Sequence, residues 1–434
     1  MSTLTRHIGL VALILYGVGD ILGAGVYGLV GRAAGQMGTA AWVGFLVSMV
    51  AAGLTGLCYA SLSSRYPHAA GTTHAVDRAF RKRFLSYLVG LMALASGLTS
   101  MATATQVFSG YFSVIVGSIP LGVISFGFIF SLSLLVFWGV REAIWVNSIC
   151  TLIEVSGLLI VIYVGFSFIG DVNYLNAVTP ANPSGQLSFS LFLSGAVLTF
   201  YSFIGFEDMI NMAEEVKDPE RNIPRALIGA IIISSTIYVL VSLIAVSVLD
   251  PMILSQSSQP LVDVVKKAAP GFPTGLFGLV AAFAVANTAL LNFMMSTRLM
   301  YGMAKERLLP RFLSHIHPRR KTPSQAVLLV MVILGILTMV GDISTLARAT
   351  SVLLLGSFLI VNLALFALQG RRGEPKGRFE IPRFVPLLGA AVCALMLFHS
   401  EKSELILAGT AIFVISALYL ILRHPKPKVR SGSI

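Results

Sequence analysis

Charged residues are scarce in this chain. Only 12% of its 434 residues are charged, whereas 56% are hydrophobic. A soluble domain typically has about 25% charged residues, so the composition excludes an ordinary soluble protein and predicts many membrane-spanning segments. The chain has only three cysteines, Cys58, Cys150 and Cys393, and all lie within apolar segments. Their placement argues against a disulfide framework and indicates small core residues.

The sequence also lacks the motifs of several functional classes. It has no glycine-rich phosphate loop ending in lysine, which argues against an ATP-driven pump. It has no nucleophile–base constellation and no histidine, cysteine and carboxylate spacing typical of a metal site. We therefore expect neither an enzyme nor a protein that binds a cofactor or a metal.

Long apolar runs dominate what remains. Twelve runs are long enough to span a bilayer, and the last two are short. They cover residues 8–31, 40–63, 84–116, 120–139, 145–170, 189–214, 226–249, 274–302, 325–341, 345–368, 384–400 and 404–422. The pattern predicts an all-α membrane protein with twelve transmembrane helices.

The basic residues set the orientation of these segments. The net charge of +12 could indicate a nucleic-acid partner, but the charges are not distributed as such a surface requires. With a cytoplasmic N-terminus, all but five of the 31 lysines and arginines fall on the cytoplasmic side, and the exceptions are Arg32, Lys266, Lys267, Arg348 and Lys402. The positive-inside rule therefore predicts a multi-pass protein of the plasma (inner) membrane with both termini cytoplasmic, and no nucleic-acid partner.

Two of the apolar runs are interrupted. The first contains Asp20 and, three residues later, Gly-Ala-Gly at 23–25, and the sixth contains Gly205 followed by Glu207. A carboxylate at membrane depth is costly and indicates function. Glycines there indicate that the helix stops and restarts, which is tolerated where the backbone lines a cavity. The alternative for the first run alone is a small-residue packing patch.

Such breaks expose helix ends inside the membrane. The half-helix that ends before each break presents free carbonyl groups, and the half-helix that begins after it presents free N–H groups. Carbonyl ends attract cations and N–H ends attract carboxylates. The two breaks together therefore predict a site for a zwitterion such as an amino acid.

Several motifs resemble those of one transporter family. These are the Gly-Ala-Gly of the first run, Ser-Arg-Tyr-Pro at 64–67, the block 201–207 with its continuation 213–226, and Arg-Leu-Met-Tyr-Gly-Met-Ala at 298–304. They occur in the order found in the amino acid–polyamine–organocation (APC) superfamily, and the chain resembles its bacterial amino acid permeases. The resemblance covers nearly the whole chain.

The resemblance implies a LeuT-type fold. In that fold, helices 1–5 and 6–10 form inverted repeats and helices 1 and 6 are discontinuous. The expected divisions are a first repeat at 1–170, a second repeat at 189–370, and two extra helices with a cytoplasmic tail at 384–434.

The resemblance also assigns individual positions. Asp20 matches a substrate-contacting position in an antiporter of the family, Tyr201 matches an outer aromatic gate, and Asn292 matches a position that lines the site. Together with the two breaks, these positions give the predicted substrate-binding residues Asp20, Gly23, Ala24, Gly25, Val26, Tyr201, Phe203, Ile204, Gly205 and Asn292.

Four residues are predicted to take part in ion or proton coupling. They are Asp20, Glu154, Glu207 and Thr288. The resemblance implies a lysine in some relatives at the position of Glu154, so the mechanism of those relatives does not transfer directly. The alternatives are structural carboxylates for Asp20 and Glu154 and a helix N-cap for Glu207. Asp208 is expected to point elsewhere on the helix and is not included.

The third run contains a stripe of polar side chains. Ser96, Thr99, Ser100, Thr103 and Gln106 are spaced by three and four residues, which places them on one helical face. This face either lines the transport path or packs against a neighbouring helix; the spacing alone does not decide between the two.

These observations predict a secondary active transporter. We expect it to move an amino acid or a related amine by alternating access, coupled to protons or to substrate exchange. The expected partners are the substrate, the lipid bilayer and a proton. The alternatives are a cation channel, or a transporter of other organic cations such as polyamines.

Overall fold

The computed structural model describes residues 6–116, 119–180, 182–257, 259–340, 343–400 and 402–421. Within these ranges the chain is all-helical, and no strand is present apart from isolated bridges. The α-helices are α1 (Leu10–Met37), α2 (Ala41–Arg65), α3 (Gly71–Phe80), α4 (Arg83–Val116), α5 (Leu121–Trp138), α6 (Val140–Gly165), α7 (Phe189–Phe200), α8 (Pro219–Val248), α9 (Pro251–Gln256), α10 (Pro260–Ala268), α11 (Thr274–Lys305), α12 (Ser324–Val340), α13 (Ile343–Gln369), α14 (Phe384–Phe398) and α15 (Lys402–Ile421).

The apolar runs all coincide with helices. Nine helical stretches of the described chain are long and apolar enough to cross a membrane, and three shorter apolar helices follow at Ser324–Met339, Phe384–Phe398 and Ala408–Leu420. The predicted all-helical, multi-pass membrane protein is thus confirmed, while the count of twelve crossings remains a prediction. Helices α3, α9 and α10 were not predicted, because they lie between the apolar runs and are short.

Both predicted interruptions are present in the backbone. Helix α1 contains one residue with non-helical dihedral angles, Gly23, with φ −29° and ψ −148°. The second interruption is wider. Helix α7 ends at Phe200, a 3-10 turn covers Tyr201–Phe203, Ile204 is extended, and Gly205 has φ +127°. The chain then continues as a 3-10 helix, Phe206–Glu215, rather than as the expected α-helical half.

The two halves of the chain pack against each other. Helix α2 packs on α8, α4 on α11, α5 on α12, and α1 on the interrupted segment 189–215. The core therefore consists of contacts between one half and the other, with α1 and the segment 189–215 at its centre.

The first described residues are attached to the end of the second interrupted segment. The N–H groups of His7 and Ile8 donate to the Glu215 carbonyl oxygen at 2.9 and 3.0 Å, and the Lys217 N–H donates to the Ile8 carbonyl at 2.9 Å. Ile8 and Val216 form a parallel bridge. The start of α1 and the end of the second break are thus held together.

Candidate functional site

The two breaks border one cavity. Seven of the predicted substrate-binding residues line it: Asp20, Gly23, Gly25, Tyr201, Ile204, Gly205 and Asn292. The cavity forms there because two helices that lose their helical geometry at the same level leave room that side chains do not fill. The structure therefore brings the two interruptions of the sequence into a single site.

Small residues allow the close packing at both breaks. A Cβ atom on Gly205 would lie 2.8 Å from the Asp20 carbonyl oxygen, and the φ of +127° is itself accessible mainly to glycine. A Cβ atom on Gly23 would lie 2.1 Å from the Thr288 Oγ1 atom. These two glycines permit the contact of the first break with the second break and with α11.

A tyrosine that the sequence did not suggest connects the two breaks. The Tyr238 hydroxyl of α8 donates to the carbonyl oxygens of Ile21 and Ser202, the latter at 2.7 Å. Ile21 precedes the break in α1, and Ser202 lies in the 3-10 turn of the second break. Tyr238 is fully buried, and it satisfies carbonyl groups that an interrupted helix leaves without a partner. No motif in the sequence distinguishes it from a core aromatic residue.

Glu207 caps the segment that begins after the second break. Its Oε2 atom accepts a hydrogen bond from the Gly205 N–H at 2.9 Å. A carboxylate in this position satisfies a free N–H group and is stabilised by the positive end of the helix dipole. Glu207 also lines the cavity and is only 6% exposed.

Asp208 lines the cavity as well, contrary to our expectation. Glu207 and Asp208 both line the cavity, and both interact with Asp20 of α1. The carboxyl groups of Asp20 and Asp208 lie within hydrogen-bonding reach of each other. The rule that intramembrane carboxylates indicate function, applied to Asp208 itself, would have identified it.

The other walls of the cavity come from α4 and α11. Thr288 and Asn292, one turn apart, both line it, and the Asn292 side-chain amide donates to the Thr288 carbonyl at 2.9 Å. Ser96 and Ser100 face the cavity from α4. Ser100 also lies within hydrogen-bonding reach of the Tyr201 hydroxyl, which connects α4 to the second break.

The polar stripe of α4 divides between the two roles that we considered. Ser96 and Ser100 line the cavity, whereas Thr99 pairs with Thr350 of α13 at 2.8 Å and Gln106 donates to the Thr338 carbonyl at 2.9 Å. Thr103 donates to the backbone of its own helix. The last three side chains serve helix packing.

Some predicted site residues do not line the cavity. Val26 is fully buried elsewhere, and Phe203 packs edge-on against Tyr238 with ring centroids 5.2 Å apart. The side chain of Ala24 is outside the part of the structure that is described. Glu154 lies in α6, fully buried beside Asn287 of α11. Neither Glu154 carboxylate oxygen has a well-formed hydrogen bond in the described part of the chain.

A second group of charges lies at the end of the molecule that carries residues 6–8. Arg298, which we counted among the loop cations, is instead fully buried in α11, with its Nε atom 3.3 Å from the Glu215 Oε2 atom. Near it, the Lys305 Nζ atom lies 3.0 Å from Glu214 Oε1, and His74 Nδ1 lies 3.2 Å from Glu306 Oε1. The sequence could not reveal the buried pair, because Arg298 falls at the end of an apolar run.

Burial and pairing shift the pKa values of two groups in these loops. The pKa of His68 is lowered by burial and by the neighbouring His74. The pKa of Glu306 is lowered by its hydrogen bond with His74. Both shifts favour the neutral histidine and the ionised glutamate in the folded protein.

The chemistry of the cavity follows from its charges. Three carboxyl groups line it, from Asp20, Glu207 and Asp208, and none of the described residues that line it is a lysine or an arginine. Buried carboxylates without a cationic partner are unfavourable, so the cavity can stabilise a cation that enters it. In the described ranges, no group of three histidine, cysteine or carboxylate side chains is arranged to hold a metal ion.

Comparison with known proteins gives a consistent result. The model of the amino acid permease family matches residues 8–422. The cationic amino acid transporter 9, chloroplastic, of Arabidopsis thaliana is 31% identical over 342 residues, which are 73% of this chain and 58% of that protein. This chain thus spans little more than half the length of that plant relative.

Two bacterial relatives match over most of their length. An uncharacterized transporter of Mycobacterium tuberculosis is 28% identical, over 94% of this chain and 89% of its own. A branched-chain amino acid permease of Bacillus subtilis is 24% identical, over 90% of this chain and 87% of its own.

Proposed function

Because the chain belongs to the amino acid permease family, we propose that it carries a cationic amino acid or a related amine across the membrane by alternating access. Membership of the family makes it a membrane transporter of amino acids rather than an enzyme. The observation that carries the proposed substrate class is the Asp20 carboxyl group, 4% exposed and lining the cavity between the breaks. One plant relative bears the name of a cationic amino acid transporter, which agrees with this choice.

The helix ends suggest how a substrate is oriented. The amine is expected beside Asp20 and the carbonyl groups that precede the break in α1. Glu207 already occupies the Gly205 N–H. A substrate carboxylate is therefore expected at the free N–H groups that follow Gly23, rather than at the second break. Asn292, Thr288, Ser96 and Ser100 are then left to contact the rest of the substrate.

The proposed architecture is the inverted repeat. Residues 1–170 form one repeat, 189–370 the other, and 384–434 the two extra helices and tail, giving twelve crossings. Supporting it, α2 and α8, α4 and α11, and α5 and α12 would be equivalent helices of the two repeats, and each pair packs together.

The proposed location is the plasma (inner) membrane with both termini cytoplasmic. The distribution of lysine and arginine supports this orientation. The terminal residues 1–5 and 422–434 lie outside the described ranges. With this orientation, the buried Arg298–Glu215 pair and the attached residues 6–8 belong to the cytoplasmic side.

Proton coupling or substrate exchange, rather than sodium, is the proposed driving mechanism. Carboxyl groups that are desolvated can bind and release protons within the working pH range. Asp20 and Glu207 in the cavity and Glu154 beside it are candidates, and Thr288 contributes a hydroxyl at the same level.

Uptake into proteoliposomes tests the proposed function. Radiolabelled arginine, lysine, putrescine, leucine and alanine are offered with a pH gradient, a sodium gradient, or internal arginine as the only driving force. We expect saturable uptake of the cationic compounds, driven by the pH gradient or by internal arginine. Strict sodium dependence, or a preference for leucine and alanine, would contradict the proposal, and flux without saturation or counterflow would indicate a channel.

A further inference from the structure

The closest charged neighbours in the cavity are two carboxyl groups. Asp20 and Asp208 lie within hydrogen-bonding reach of each other, and each side chain is only 4% exposed. Two ionised carboxylates have no proton to donate, so they cannot hydrogen-bond to each other. A carboxyl–carboxylate pair with one proton between them removes this repulsion, as in other buried acid pairs.

In the described part of the chain, no other group near the pair neutralises the negative charge of its carboxylates. The groups that interact with it from the packed elements are Tyr16 of α1, Tyr59 of α2, Glu154 of α6 and Glu207 after the second break, and Tyr16 in turn interacts with the Arg298–Glu215 pair. Arg298 is the one cation in this set, and Glu215 binds it. Glu207 already accepts a hydrogen bond from the Gly205 N–H at 2.9 Å.

Asp20 lacks a donor from the protein at one of its oxygen atoms. The Asp20 Oδ2 atom is buried and receives no hydrogen bond from a donor group of the described structure. Asp20 and Asp208 both line the cavity between the breaks. A buried acceptor without a protein donor, on a residue that lines a cavity, is the arrangement expected where a donor arrives from outside the protein.

We propose that Asp20 and Asp208 hold one proton between them in the substrate-free protein and release it when a cationic substrate binds. The ammonium group of the substrate takes the place of the proton: the O–H bond breaks, both carboxylates become ionised, and the proton leaves to water. The total charge of the site is thereby conserved. Proton and cationic substrate then compete for one site, so the transporter exchanges one for the other.

This inference rests on the cationic substrate class of the proposed function and deepens it. Exchange at a shared site differs from symport, in which proton and substrate bind together. It also assigns Asp208, rather than Glu207 or Glu154, as the second half of the proton site.

Infrared spectroscopy tests the shared proton without any substrate. Purified wild-type protein at neutral pH is expected to show a carboxylic-acid C=O band that is lost in Asp20→Asn and in Asp208→Asn. The matched control is Asp250→Asn, an exposed residue that caps α9 by accepting the Met252 N–H at 2.8 Å. Absence of the band, or its loss only in Glu154→Gln, would overturn the proposal.

Calorimetry tests the release of the proton. Arginine and lysine are titrated into the protein in two buffers of different ionisation enthalpy. We expect close to one proton released per bound molecule in the wild type and in Asp250→Asn, and close to none in Asp208→Asn. In the wild type, the dissociation constant for arginine should fall up to tenfold for each unit by which the pH rises, because fewer protons compete for the site. In Asp208→Asn it should fall much less.

The outcomes separate this inference from the proposed function. Binding of arginine without proton release, or with proton uptake, would overturn the exchange while leaving the substrate class intact. Failure of arginine, lysine and putrescine to bind a folded protein would instead contradict the substrate class. In that case the infrared band alone would decide whether the pair shares a proton.

Discussion

Buried carboxylates occur in two regions of this protein, and they differ in their partners. At the end of the molecule near residues 6–8, Glu215 has Arg298 as a permanent partner, and both are almost fully buried. In the cavity, Asp20, Glu207 and Asp208 are just as buried, but no lysine or arginine is found among the described residues that line it. The fixed pair stabilises one arrangement of helices, whereas the carboxylates of the cavity require a cation that binds and dissociates.

The largest expected effect tests the fixed pair. Arg298→Met leaves the Glu215 carboxylate buried and without a cation, so we expect the free energy of unfolding to fall by about 3–5 kcal/mol. Thermal unfolding in detergent measures it. Lys305→Met is the control: its partner Glu214 lies in a half-exposed pair, which is worth at most about 1 kcal/mol. In the cavity, Asp208→Asn should lower the free energy of unfolding little or not at all. A decrease equal to that of Arg298→Met would contradict the difference between the two regions.

The sequence predicted the long apolar helices and both breaks, but neither the short helices α3, α9 and α10 nor these partnerships. Apolar length marked the spanning segments, and Gly23 and Gly205 marked the breaks, because only small residues fit there. The buried position of Arg298 was not predictable, because charge alone suggests a loop. Tyr238 acts through the approach of separate helices, which spacing along one helix cannot reveal, whereas Asp208 could have been identified as an intramembrane carboxylate.

A second prediction concerns the backbone that holds the cavity open. Gly205→Ala forces a side chain into a φ of +127° and against the Asp20 backbone, and Gly23→Leu displaces Thr288. We expect arginine affinity to fall at least about a hundredfold, roughly 3 kcal/mol at 1.4 kcal/mol per tenfold, with the protein still folded. Gly278→Ala in α11, where nothing lies within 4 Å of an added Cβ, should bind as the wild type does. Affinity within twofold of wild type in Gly205→Ala would contradict this account of the break.

A smaller effect is expected from the connection between the breaks. Tyr238→Phe leaves the Ile21 and Ser202 carbonyl groups without their shared donor. The loss of such a buried hydrogen bond costs about 1–3 kcal/mol, part of which should appear as weaker arginine binding, of about fivefold to tenfold. Tyr163→Phe, at an 84% exposed position, is the matched control. Equal binding by both variants would mean that Tyr238 has no part in shaping the site.

The smallest effect concerns pH at the loop network. The folded protein lowers the pKa of His68 below its ordinary value of about 6.5. The unfolded chain therefore binds the proton first, and stability should fall as pH drops through about 6.5. His68→Gln should reduce the pH dependence of stability between about pH 7 and pH 5, as measured by thermal unfolding. The expected change in the free energy of unfolding is below about 1 kcal/mol. A slope in His68→Gln equal to that of the wild type would place the effect elsewhere.

The most direct test of the unpartnered cavity is the selectivity of Asp20→Asn. Binding of arginine and of leucine is measured by calorimetry in the wild type and in this variant. If Asp20 pairs with the charge of the substrate, arginine affinity should fall at least about tenfold, the 1.4 kcal/mol expected for losing a charged partner, while weak leucine binding persists. Unchanged affinity for arginine, with unchanged selectivity over leucine, would show that the Asp20 carboxylate does not receive the substrate cation.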